Sequence, residues 1–132
     1  KILPFDNKYW KKNCEPYVFC NSYFAIKDSY RYGTVGQSWG TGTAGWFYVV
    51  MMNSVFGLKP EAEGLRIDPC LPPEWKKCSV VRNFRGAEYR ISYDQAKGCK
   101  KISEITVDGK KLDGTLLPFR KGAKFEVHVK MK

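Results

Sequence analysis

Apolar positions follow two different patterns along this chain, and the pattern changes near Leu58. From Gly42 to Phe56 the run GTAGWFYVVMMNSVF is apolar on nearly every side, with Trp46, Val49, Val50, Met52 and Phe56 covering several faces at helical spacing. A helix that is apolar all round is a buried helix. Its end is signalled by Gly57, which can take the left-handed C-terminal conformation, by the apolar Leu58, and by Pro60, which cannot continue a helix. Such a helix needs neighbours on all sides. The stretch EPYVFCNSYFAI, Glu15 to Ile26, is too small to supply them. Residues 1 to about 57 are therefore expected to pack against a larger helical body outside this sequence.

Beyond Leu58 the period shortens to two. Ala87, Tyr89, Ile91 and Tyr93 alternate with Glu88, Arg90 and Ser92, which places apolar groups on one face of a strand and charge on the other. Gly86 marks the turn from a preceding strand over Ser79 to Phe84. Ile102, Ile105 and Val107 run into Asp108-Gly109, a dipeptide that accepts positive φ in a tight hairpin, and Lys111-Leu112 begins the return. The final run, Phe125, Val127 and Val129, alternates with Glu126, His128 and Lys130. Short strands at this spacing predict an antiparallel sheet or sandwich.

Composition narrows the class of protein. A chain of 132 residues, 43% apolar and 15% aromatic, is too rich for a disordered tail and too short for a complete large catalytic barrel. No apolar run approaches the roughly 20 residues that span a bilayer, so no membrane partner is expected. Residue 1 is Lys and no leader pattern follows it, which reads as a soluble piece cut from something longer. The net charge of +10 divides into +3 before Leu58, from six basic and three acidic residues, and +7 after it, from 17 and ten. Basic and acidic residues are interspersed in the second part, the pattern of a solvated surface rather than a nucleic-acid stripe. The five cysteines, Cys14, Cys20, Cys70, Cys78 and Cys99, are odd in number and form no C-x-x-C pair. That argues against zinc and for reduced thiols in the cytoplasm.

The densest candidate chemistry is QSWGTGTAGW, Gln37 to Trp46, a glycine-rich segment leading directly into the predicted helix. Backbone N–H groups at a helix start favour an anion such as phosphate. Thr41 and Thr43 add hydroxyl donors, and Gly42 leaves the backbone open to close approach. No Lys follows at Walker spacing. The aromatic and polar mixture over Glu15 to Asn21 and Tyr30 to Gly33 suits either sugar stacking or interior packing. No carboxylate pair has convincing catalytic spacing. Asp68 precedes Pro69 and reads as a turn residue, and His128 points outward on a terminal strand.

Taken together, EPYVFCNSYF, RYGTVGQSWGTGTAGW, FGLKPEAEGLRIDPCLPPEW and FRGAEYRISY, in this order and spacing, resemble the C-terminal end of the cellobiose and cellodextrin phosphorylases of glycoside hydrolase family ninety-four. The resemblance is strong over about residues 14 to 94. It implies an α+β chain: the last helices of an (α/α)6 catalytic barrel over residues 1–60, then a small antiparallel, jelly-roll-like β-sandwich over 61–132. It also implies that inorganic phosphate attacks a β-linked glucoside with inversion and releases α-glucose 1-phosphate.

The family's Thr-Gly phosphate contact falls on Thr41 and Gly42, and a family Gln after the EPYV segment falls on Asn21, one methylene shorter. Tyr17, Gln37, Ser38 and Trp39 stand beside these motifs as possible cleft residues. The catalytic acid belongs to segments absent from this chain, which alone should be inactive. No cofactor or metal is expected, phosphate being a substrate. The implied partners are an oligosaccharide, phosphate, the missing N-terminal part of the same enzyme and, in the parent, a second copy in a homodimer. The alternative reading is a stand-alone carbohydrate-binding β-domain without catalysis, which exposed aromatics on a sheet face would favour.

Overall fold

A computed structural model describes residues 22–32, 34–36, 42–96 and 101–132. The chain divides into two compact units, Lys1–Val49 and Val50–Lys132. In the first, β1 (Ser22–Tyr23) pairs antiparallel with β2 (Val35–Gly36). Successive turns close the loop between them, with Phe24 N–H donating to Thr34 O at 2.9 Å and Arg31 lying 5.1 Å from the Phe24 ring centre. Helix α1 (Thr43–Val50) follows, and the ladder then widens into a π-helical turn over Met51–Val55, where Phe56 N–H donates to Met51 O.

The predicted helix end is present. Gly57 has φ of 67°, and Leu58 behind it is fully buried. Conformation is only half the reason for glycine here: a Cβ at Gly57 would lie 2.0 Å from the Asp68 carbonyl oxygen. Asp68 N–H also donates to Gly57 O at 2.8 Å, so the two backbones are in direct contact.

The second unit contains two sheets. The smaller has the order β3-β4-β9, from β3 (Leu58–Pro60), β4 (Leu65–Ile67) and β9 (Leu116–Leu117). The larger has the order β5-β6-β10-β7-β8, from β5 (Lys77–Phe84), β6 (Ala87–Gln95), β7 (Ile102–Val107), β8 (Lys110–Lys111) and β10 (Lys124–Met131). Leu58, Leu65, Ile67 and Leu117 of the small sheet join Tyr89, Ile91, Tyr93, Ile105, Val127 and Val129 of the large one in a single buried cluster. Both tyrosines reach out of the large sheet to the backbone of segments flanking the small one. Tyr89 donates its hydroxyl hydrogen to Pro118 O at 2.9 Å, and Tyr93 donates to Phe56 O at 2.7 Å.

The hairpins expected from the turn residues form as read. Arg85 and Gly86 have φ of 50° and 82°, and Asp108 and Gly109 have 49° and 78°, two consecutive positive values of the type I′ kind in each case. The expectation of an antiparallel sheet is corrected at its centre. β10 inserts between β6 and β7 and runs parallel to β6 over eight residue pairs, from Lys124↔Glu88 to Met131↔Gln95, while staying antiparallel to β7. Alternation reports which face a side chain occupies and carries no information about strand direction. A parallel neighbour needs a long connection, and here it runs through β7, β8 and β9.

Candidate functional site

Gly42 stands immediately before α1, and its carbonyl accepts the helix hydrogen bond from Trp46 N–H at 3.2 Å, which makes it the N-cap. Residues preferred at that position carry a side-chain oxygen that caps the N–H groups two and three residues on. Gly42 has none, so it offers no side-chain cap to Ala44 and Gly45. The first turn of α1 also holds no acidic side chain to neutralise the helix dipole. A Cβ at Gly42 would meet only Trp46 Cδ1, at an ordinary 3.9 Å, and one at Gly45 would meet nothing within 4 Å. The φ of Gly42 is not in the left-handed region. Neither backbone conformation nor packing among the described residues requires glycine. Among the described residues, glycine leaves the backbone open at the positive end of a helix.

Of the residues singled out for phosphate and sugar, Gly42 and Thr43 at the start of α1 and Tyr30 to Tyr32 in the loop before β2 are described. Thr41, Tyr17, Asn21, Gln37, Ser38 and Trp39 lie outside the described residues. The helix itself contains no buried residue, and Trp46 is 73% exposed.

Asp68, read from the sequence as a turn residue, lies in no turn; it follows β4 directly and forms an ion pair with Lys59 at 2.5 Å. Arg66 on β4 makes a two-point contact with Glu61, at 2.5 Å and 2.7 Å, and reaches Thr115 Oγ1 at 3.1 Å. That contact holds the Glu61 carboxyl below its usual range. Cys70 and Cys78 are free thiols, and burial pushes the Cys78 thiol up. Burial also pushes the Tyr93 phenol well above its ordinary value, so it stays a neutral donor. His128 is exposed as expected, but its Nδ1 lies 2.5 Å from Ser92 Oγ on the parallel neighbour β6, a pairing that sequence reasoning missed. The available signal was the outward phase of both residues on their strands. The missing one was strand order. Among the described residues no helix is long and apolar enough to cross a membrane.

Comparison with known proteins bears on residues 2–57 most directly: they match the family model described as the glycosyl hydrolase 94 superfamily, catalytic domain. The chain is 35% identical to the solabiose phosphorylase of Paenibacillus borealis over 136 aligned residues, covering 99% of this chain and 17% of that protein. It is 32% identical to the N,N'-diacetylchitobiose phosphorylase of Vibrio proteolyticus, covering 90% of this chain and 15% of that protein. It is 35% identical to the cellobionic acid phosphorylase of Neurospora crassa, covering 79% and 13%. The chain thus spans less than a fifth of the length of these relatives.

Proposed function

We propose, from the premise that this chain belongs to the glycosyl hydrolase 94 superfamily, that it is the C-terminal part of an inverting phosphorylase of β-linked disaccharides or oligosaccharides. The observation that carries the reading is the glycine N-cap of α1, inside the segment that matches the catalytic-domain model. Phosphate sits at this helix start, held by the Thr41 hydroxyl and by backbone N–H groups beside Gly42. One of its oxygens attacks the anomeric carbon, the bond from that carbon to the bridging oxygen breaks, and the departing sugar takes a proton from an acid supplied by the rest of the enzyme. The products are α-glucose 1-phosphate and a sugar shortened by one unit, and no cofactor takes part. Asn21, Tyr17, Gln37, Ser38 and Trp39 line the sugar cleft in this reading.

Cellobiose or a cellodextrin is the substrate we would try first. The relatives carry the names of solabiose, diacetylchitobiose and cellobionic acid phosphorylases, so the acceptor sugar is the part of the proposal that family membership supports least. The parent is taken to be a homodimer in the cytoplasm. The rival reading, a carbohydrate-binding β-domain, needed aromatics on an exposed sheet face. Tyr89 and Tyr93 are buried, with their hydroxyls committed to internal carbonyls.

The test is Thr41→Val in the complete enzyme. Loss of one hydrogen bond to a charged group costs about 1.5 to 3 kcal/mol, or roughly a tenfold to hundredfold fall in kcat/KM for phosphate. Gly42→Val should cost more, by covering the backbone the anion approaches. Sugar affinity without phosphate should change little. Intact phosphate dependence with weakened sugar binding in Thr41→Val would place a glycosyl unit at this loop and overturn the assignment. The 132-residue chain alone should release no glucose 1-phosphate from cellobiose and phosphate.

A further inference from the structure

Among the described residues, the two sheets of the second unit end in β3, β9, β8 and β5, and the first three of these edges are blunted. β8, Lys110–Lys111, is two residues long and made of lysine. β9 is also two residues long, and β3 has three residues and ends in Pro60. Shortness, lysine and proline are devices that keep a sheet edge from pairing with another chain. The fourth edge lacks them along its length. β5 runs for eight residues, Lys77–Phe84, with no proline and an unbroken register against β6. Its one lysine stands at the end, 3.7 Å from Asp94.

The phase of the hairpin determines which groups that edge presents. Phe84 and Ala87 close the two-residue Arg85-Gly86 turn as a hydrogen-bonded pair, so Arg82, Val80 and Cys78 bond to β6 and the residues between them point away from it. Neighbouring contacts carry the same phase. Glu88 N–H, opposite Asn83, turns away from β5 to Ala123 O at 2.9 Å, and Gln95 N–H turns towards it to Lys76 O at 2.8 Å. Lys77, Ser79, Val81 and Asn83 therefore line the outer edge with N–H and C=O groups that have no backbone partner among the described residues. Val81, in the middle of that line, is 55% exposed.

The strand is complementary to itself. When two copies of β5 pair antiparallel, a single register engages every outward-pointing residue: Lys77 stands opposite Asn83 of the second copy, Ser79 opposite its Val81, and the two-fold axis repeats both pairs. No cation faces a cation in that register. Arg82 falls opposite Cys78 of the second copy, and the Lys77 charge is already met by Asp94. On the core side the axis passes Val80, so the half-buried Val80 of each copy meets the other, and the apolar inner face of one large sheet continues into the next. We infer that the β5 edge is an interface between two copies of this chain, joining their large sheets across a two-fold axis at Val80. β5 and β6 alone carry this, so it stands apart from the phosphorolysis reading and names a surface for the homodimer taken there.

The test is sedimentation equilibrium of the 132-residue chain from micromolar to millimolar concentration, where a reversible monomer–dimer equilibrium is expected. Val81→Pro removes an outward N–H and leaves the β5–β6 ladder whole, so circular dichroism should be unchanged. Association should weaken about tenfold or more, because the axis doubles the lost hydrogen bond. Lys111→Pro makes the same change on the β8 edge and should have no effect. In the complete enzyme, Val80→Cys places two thiols in a non-hydrogen-bonded pair with Cα atoms about 4.5 Å apart, within disulfide reach. Mild oxidation should cross-link it beyond the level of the unsubstituted protein. Val81→Cys should not, its copies being a diagonal step of about 7 to 8 Å apart. A chain that stays monomeric, or a dimer that Val81→Pro weakens no more than Lys111→Pro, would overturn the inference. So would a complete enzyme in which Val80→Cys does not cross-link, which would place another segment of the parent on this edge.

Discussion

Helix α1 and strand β10 are both eight residues long, and their side chains meet opposite fates. The helix segment, TAGWFYVV, is apolar nearly all round and has no buried residue; Tyr48, Val49 and Val50 are 51%, 43% and 49% exposed. The strand, KFEVHVKM, is half polar, yet Phe125, Val127, Val129 and Met131 are all buried. Burial is thus a property of the partner surface and not of the segment's own hydrophobicity. β10 has its partners within the same unit: β6 on one side, β7 on the other and the small sheet across the core. At about 25 cal/mol per Å² of apolar area removed from water, a helix as apolar as α1 gains most of its stabilisation only when something covers it.

The sharpest way to break this contrast is to remove a large side chain from the sandwich core. Tyr89 is fully buried, stacks on Phe125 at 5.2 Å and donates to Pro118 O. Tyr89→Ala should lower the unfolding free energy by about 3 to 5 kcal/mol, read from urea unfolding of the 132-residue chain. A change under 1 kcal/mol would mean that the second unit lacks a core of its own.

Gly57→Ala comes next. A methyl group 2.0 Å from the Asp68 carbonyl, on a residue with φ of 67°, must displace backbone, and a loss of about 2 to 3 kcal/mol is expected. The same titration measures it, and amide spectra should show the disturbance centred on residues 57 and 68.

Trp46→Ala sharpens the comparison from the helix side. Trp46 is 73% exposed, so its removal should change the stability of this chain by no more than about 0.5 kcal/mol. In the complete enzyme the same substitution should cost several times as much. Equal small effects in both settings would show that α1 is never covered.

The smallest effect is set by pH. Glu61 has its folded-state pKa depressed, first by the hydrogen bond from Arg66. Its contribution is therefore present above the unfolded-state value and disappears as pH falls through the folded one. Glu61→Gln should lower stability slightly at neutral pH, and the two proteins should converge as the solution becomes more acidic than the usual carboxylate range. A constant difference down to pH 2 would assign the loss to packing instead.

The parts of the fold legible in the sequence were the local ones. Gly86 and Asp108-Gly109 announced their hairpins because positive φ is a property of the residues in the turn; the positive φ of Arg85 was not legible. The alternation in β6 and β10 announced which side chains are buried because a pleated strand has period two. Gly57 announced a helix end for the same kind of reason, and Gly42 announced bare backbone at a helix start. Sequence also placed Asp68 in a structural role and His128 on the outside.

Tertiary structure alone decided the rest, because each remaining feature depends on a contact between residues far apart in the chain. The parallel pairing of β6 with β10 joins segments about 36 residues apart, which no local pattern encodes. That pairing brings the Ser92 hydroxyl to His128 Nδ1. The near contact of Gly57 with Asp68 turns a conformational preference into a steric requirement. Gly42 has no positive φ, so its own backbone conformation does not require glycine. Periodicity determines the face a residue occupies; only the folded arrangement of strands determines what that face meets.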